Sequence, residues 1–207
     1  MIITAVVKDK KHLTKLSLSD GSECLLDNDV VLENSLCTES EIDAETLKEL
    51  KFQSDYKRAK SRALWYLARM DHTEKALHDK LIKAGFNKKA VADVMANLIE
   101  FGMIDNRRYA TRFAERCMEN NVSKREAICK MLQKGIPYDL AKEVLDEFDT
   151  DEESQIKELI ERKYAQKLTQ EKGSEKVFAA LVRKGFSFSA IKSAMKNYIE
   201  EPEFIED

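Results

Sequence analysis

The sequence predicts an all-α protein in the main. Three tandem three-helix, helix-turn-helix-like repeats of about 50 residues form an elongated arc, preceded by a small N-terminal β-meander plus helix. Three observations carry this. Glycine recurs at 85, 135 and 185, each time closing an amphipathic stretch. Only two prolines and six glycines interrupt 207 residues rich in Lys, Glu, Ala and Leu, which favour helix. Strand-like patterning is confined to the first residues of the chain.

That strand-like start comprises Ile2–Val7, which is β-branched and apolar, Leu13–Leu18, which alternates, and the short run Glu23–Leu26. Asp20-Gly21 supplies a tight turn before the third. A meander of this size is marginal in water and needs a helix over it. Asp29–Leu36 and Asp43–Phe52 are the candidates, giving an N-terminal module over 1–52.

The repeat is read from three segments that superimpose at a shift of 50: Leu81–Phe86, Met131–Ile136 and Leu181–Phe186. Downstream, Met95, Leu145 and Met195 align, as do Leu98, Phe148 and Tyr198; upstream, Thr73, Ser123 and Gly173 align as helix starters. Ser123 and Glu126 write a capping box. Each corner glycine ends a helix by taking the left-handed conformation that other residues resist. The apolar residue after it folds back, and Asn87, Pro137 or Ser187 opens the next helix. One further helix precedes each pair, at 54–70, at 106–119 after Asp105, and at 151–168 after Thr150. Ala59, Ala63, Leu67 and Met70 mark a core face on the first, and Tyr109, Phe113 and Cys117 on the second. The repeats span 53–103, 104–149 and 150–200, with an acidic tail at 201–207, and stacked neighbours share cores.

Net charge is −3 but unevenly spread. Residues 1–50 carry 5 Lys/Arg against 11 Asp/Glu, residues 51–149 carry 20 against 15, and residues 150–207 carry 10 against 12. A mildly basic middle fits an acidic partner surface better than a dedicated DNA-binding domain, which is strongly basic. The apolar start is too short for an export signal and is followed by lysines, and no run approaches the roughly 18 apolar residues of a membrane span. The expected location is the cytoplasm, with no membrane contact. Cys24, Cys37, Cys117 and Cys129 form no C-x-x-C pair and cluster with none of His12, His72 and His78, so free thiols and no metal are expected. No phosphate loop, nucleophile elbow or HExxH is present, so neither an enzyme, a cofactor nor a small-molecule substrate is expected.

Basic residues are the candidates for contact. Arg58, Arg62 and Arg69 lie on the first helix of repeat one; Arg107, Arg108, Arg112 and Arg116 lie on that of repeat two, with Lys124 and Arg125 following. Arg108, Arg112 and Arg116, four apart, form one stripe. It is either a solvated face paired with Glu115 or Glu119, or a ridge that meets phosphates or an acidic protein groove. Trp65 and Tyr66, beside the first group, are read as core; the alternative is stacking on a nucleobase. The helix-turn-helix corners lack an Arg, Asn and Gln set suited to base edges and are read as packing corners.

These residues resemble the RecX family. Ala63–Arg69, then Thr73 and Leu81–Phe86, look like its first repeat. Gly102-Met103-Ile104-Asp105-Asn106-Arg107-Arg108-Tyr109-Ala110, continuing to Phe113 and Arg116, resembles its most distinctive motif, and Lys134-Gly135-Ile136 its second corner. The likeness is strong over 58–148 and looser over 150–200; Asp105-Asn106 stands where the family often has two acidic residues. The resemblance implies a non-enzymatic regulator, acting as a monomer, that lies in the groove of the RecA filament on single-stranded DNA. There it limits filament extension, ATP hydrolysis, strand exchange and SOS repressor cleavage. The arginine face would contact RecA or its DNA; Gly85, Gly135, Gly185, Thr73, Ser123, Asp105 and Tyr109 would be structural. The alternative is a helical-repeat protein that binds single-stranded nucleic acid directly, without RecA; a third is an adaptor for an unrelated protein.

Overall fold

The computed structural model describes residues 1–10, 12–196 and 198; the acidic tail expected at 201–207 lies outside the described residues. The chain divides into two compact units, Met1–Asp105 and the residues from Asn106 onward. It is mostly helical, with one three-stranded sheet at the N-terminus. Among the described residues no helix is long and apolar enough to cross a membrane.

In the first unit, β1 (Ile3–Lys10), β2 (Leu13–Leu18) and β3 (Glu23–Asp27) form an antiparallel meander in that order. Alternation does its work: Thr14, Leu16 and Leu18 of β2 and Cys24 and Leu26 of β3 are buried on one face. Helix α1 (Asn28–Glu33), capped by Asp27, and the first turns of α2 (Ala44–Leu67) cover that face, with Val30, Leu47 and Leu50 in a shared core. The helices expected at 43–52 and 54–70 are thus one continuous helix. The reason is Ser54, which breaks nothing. It is 1 % exposed, faces the sheet, and its hydroxyl accepts from the Asp27 N–H at 2.8 Å.

The second half of α2 belongs to the first three-helix bundle, with α3 (Glu74–Lys83) and α4 (Lys88–Glu100). Thr73 caps α3 through the Ala76 N–H, and Asn87 caps α4 through the Lys89 N–H. Ala59, Ala63, Leu77, Leu81, Val91, Val94 and Leu98 form the core. Met70, expected on this face, is 59 % exposed because the helix has ended at Leu67.

The second unit holds two further bundles. The first comprises α5 (Asn106–Glu119), α6 (Lys124–Gln133) and α7 (Tyr138–Asp146). The next begins with α8 (Glu152–Leu159), which passes through a π-helical segment, Ile160–Tyr164, into α9 (Ala165–Leu168). It is completed by α10 (Gly173–Arg183) and α11 (Phe188–Met195). Asp151, not Thr150, caps α8, because its carboxylate accepts the Glu153 N–H at 3.0 Å. Gly85, Gly135 and Gly185 all have φ between +84° and +88°. The residue after each donates back to the carbonyl five positions earlier, closing the corner. Gly173 differs from its counterparts Thr73 and Ser123. It offers no cap, but a Cβ there would stand 2.2 Å from the Lys167 carbonyl oxygen, so it is required for space.

The expectation that neighbouring repeats share cores is corrected. The meander module and each bundle close separate clusters of buried side chains. In the first two bundles, small residues on the first helix (Ala59 and Ala63, Ala110 and Ala114) leave room for the other two helices to close over the core. Between the two bundles of the second unit the ties are polar: Ser123 Oγ donates to the Lys184 carbonyl at 2.5 Å, and Asn121 Nδ2 to Glu158 at 2.7 Å.

Candidate functional site

The basic residues do not all stand in the same situation. Arg107 is held by two carboxylates, Glu143 at 2.8 Å and Glu147 at 2.6 Å, which pull its pKa up and clamp the start of α5 to α7. Lys124 donates to the Phe148 carbonyl at 2.6 Å, fastening α6 to the end of α7. Both thus have internal bonding roles. Arg125 is exposed beside the Gly185 corner, where a Cβ on the glycine would come within 3.0 Å of its own Cβ. Arg108, Arg112 and Arg116 are exposed at one-turn intervals along α5 while Ala110, Ala114 and Cys117 are buried, so they form a ridge on its outer face. Asp105 immediately precedes α5, and Tyr109 stacks on Phe113, with centroids 6.3 Å apart and planes 11° apart.

In the first unit Arg58 reaches Asp55 at 3.6 Å and lies 5.6 Å from the Phe86 ring centroid. Trp65, read as core, is 45 % exposed. Its ring carries the Arg69 guanidinium at 3.5 Å from the centroid and that of Arg62 at 5.4 Å. Tyr66 does pack on the core. It meets Arg62 at 5.9 Å and the Lys80 ammonium at 4.8 Å, and stands edge-on to His72 at 6.0 Å. His72 is 8 % exposed, with Nε2 3.5 Å from Lys80 Nζ. Burial and, after it, the Lys80 charge lower its pKa. Beside this patch a groove of ≈660 Å³ runs between α2 and the sheet, with Arg58, Arg62, Trp65 and Phe86 on one wall and Asp27 and Asp29 on the other.

The second unit holds a related patch. Arg116 and Lys134 approach the Phe113 ring at 5.9 and 5.4 Å. They line a groove of ≈630 Å³ with Cys117, Asn120, Val122, Lys130 and Gln133, none of them acidic. Lys130 also pairs with Glu126 at 2.8 Å; burial pushes the Glu126 carboxyl up, but Lys130 and Lys184 outweigh it and hold its pKa down.

Lys80, Lys130 and Lys134 join these patches without having been expected there, and Phe113, expected on a core face, is half-buried and meets two cations. The signal was an aromatic and an arginine three residues apart, Arg62 with Trp65 and Phe113 with Arg116, which share a helix face. Trp65 also lies two positions past the buried Ala63, about 200° round the helix and off the core stripe. All four cysteines are free, with Cys24 and Cys117 buried. No group of three His, Cys, Asp or Glu among the described residues could hold a metal ion.

The family described as "RecX, first three-helix domain" matches residues 59–98, and "RecX, third three-helix domain" matches 151–195, leaving the α5–α7 bundle in second place between them. The chain is 31 % identical over 196 residues to "Regulatory protein RecX" of Streptococcus pneumoniae serotype 19F (strain G54), covering 94 % of this chain and 76 % of the relative. It is 29 % identical over 204 residues to the protein of that name from Streptococcus sanguinis (strain SK36), covering 97 % and 79 %. Among solved structures, one described as regulatory protein RecX superimposes with a TM-score of 0.68 at 21 % identity over 95 % of this chain and 98 % of the other. RecX from Lactobacillus salivarius superimposes with a TM-score of 0.61 at 21 % identity over 70 % and 96 %.

Proposed function

The chain belongs to the RecX family of regulatory proteins, and from that premise we propose that it regulates RecA by lying in the groove of the RecA filament on single-stranded DNA and limiting its extension. It works by binding alone, as a monomer in the cytoplasm, and the filament-dependent activities fall together: ATP hydrolysis, strand exchange and SOS repressor cleavage. The observation that carries the reading in this chain is the exposed Arg108–Arg112–Arg116 ridge, which faces away from the buried alanines of α5. Guanidinium forks at one-turn spacing suit carboxylates or phosphates on an acidic groove wall.

The test is RecA's single-stranded-DNA-dependent ATP hydrolysis with this protein titrated in well below the RecA concentration. The expected result is a fall in rate. A rate that holds at excess protein would overturn the reading. The double reversal Arg108→Glu/Arg112→Glu should abolish the fall while the circular dichroism melt stays in place; retained inhibition would move the contact off this ridge.

A further inference from the structure

The groove beside Phe113 differs in charge from the two larger grooves of the first unit. Its floor is apolar, with Phe113, Cys117 and Val122. Its rim carries Arg116, Lys130 and Lys134, with no acidic side chain among the described residues that line it. The groove between α2 and the sheet has Asp27 and Asp29 on one wall, and the one along the start of α2 has Glu45, Glu49 and Asp55. The next bundle does not repeat the basic groove, since Ala180 stands where the shift of 50 would require a second Lys130. Such a groove asks for two things at once: anions for the rim and bulky apolar side chains for the floor.

The chain itself carries that combination in residues 199–207, which lie outside the described residues. Phe204 and Ile205 are adjacent there, among Glu200, Glu201, Glu203, Glu206 and Asp207, without a Lys or Arg. The distance to be covered is short. Ser193, in α11, donates to Glu153 of α8. Five residues further along α8, about 8 Å of helix, Glu158 accepts from Asn121, which sits between the groove residues Asn120 and Val122. Residues 196–204 span about 30 Å when extended, enough to cover that path. A segment tethered this closely has an effective concentration of about 1 mM, so even a weak site is filled from within the chain before an outside acidic segment competes.

We propose that this groove is the docking site of the chain's own segment 199–207. Phe204 and Ile205 lie on the floor of Phe113, Cys117 and Val122, and Glu203, Glu206 and Asp207 meet Arg116, Lys130 and Lys134. Docked there, the segment covers Arg116, the last residue of the exposed ridge. The docking does not rest on the RecA reading, and its test contains no RecA, so either can fail alone.

The test treats the full chain with a carbodiimide, which joins amines to carboxylates in contact, and reads the joined peptides by mass spectrometry. The exposed Lys157–Glu153 pair, 2.6 Å apart, is the internal control. Lys130 and Lys134 should be joined to Glu203, Glu206 or Asp207, and in an equal mixture of isotope-labelled and unlabelled chains each joined pair should carry one label only. Phe204→Ala/Ile205→Ala leaves every amine and carboxylate in place and should lower the yield about tenfold. Arg116→Glu, at an exposed position, should do the same with the melt unchanged. With the control pair joined, absence of these cross-links, wild-type yield in both variants, or pairs of mixed label would each overturn the proposal, the last in favour of a second copy as the occupant.

Discussion

The second and third bundles lie in one compact unit and turn the same corner, yet they build their first helix differently. In the second, α5 is a single helix of 14 residues whose core side chains follow the ordinary period. In the third, the helix runs on from Glu152 to Leu168 through a π-helical turn. Leu159 and Tyr164, five apart, are both buried there, and the wider π turn is what brings a five-residue step back to one face. The extra length is offset upstream, where α7 has 9 residues and its counterpart α4 has 13. The shift of 50 therefore marks the corners, and the helices between two corners trade length against one another.

The sharpest break of this comparison is at the start of the last pair of helices. Gly173→Ala would place a methyl 2.2 Å from the Lys167 carbonyl oxygen and 2.9 Å from that of Leu168, against backbone that cannot swing away. A loss above about 3 kcal/mol is expected in urea unfolding. A loss below about 1 kcal/mol would mean the bundle has room there.

The corner glycines come next. Gly85 and Gly185 share a left-handed φ, but a Cβ on Gly85 meets open space, whereas one on Gly185 stands 3.0 Å from Arg125 Cβ and 3.1 Å from Ser123 Oγ. Gly185→Ala should cost about 2–3 kcal/mol and Gly85→Ala about 1 kcal/mol. Equal losses would show that strain in φ decides both. Ser123→Ala should follow at about 1–2 kcal/mol, because the hydroxyl both accepts from the Glu126 N–H at 3.1 Å and donates to the Lys184 carbonyl. A change below about 0.5 kcal/mol would make the tie between these bundles dispensable.

What the sequence disclosed follows the same division. Corners were legible because glycine at positive φ, an apolar residue behind it and a capping residue ahead leave a fixed string of residue types. The single helix α2 was not, because Ser54 looks like a helix starter until the sheet that its side chain meets is in place. The role of Gly173 was hidden too, since nothing local distinguishes a glycine that caps from one that makes room for a distant carbonyl. Of the candidate contacts, the stripe on α5 could be read from spacing alone. The capture of Arg107 by Glu143 and Glu147 needed α7 folded against α5.

The smallest expected effect separates the first bundle from the second. At matching positions after their first helices stand His72, buried between Tyr66 and Lys80, and Val122, which cannot titrate. Burial first, then the Lys80 charge, lowers the His72 pKa from 6.5, with Asp71 opposing. The folded state therefore prefers the neutral ring, and the unfolded chain binds the proton more readily. The site's contribution is complete above the unfolded value and is lost as pH falls through the lowered folded one. Urea midpoints taken at pH of about 7 and about 5 should fall further for the wild type than for His72→Val, which puts the second bundle's residue into the first. If both fall alike, the imidazole stays out of the acid response, and carboxylates common to both proteins govern it.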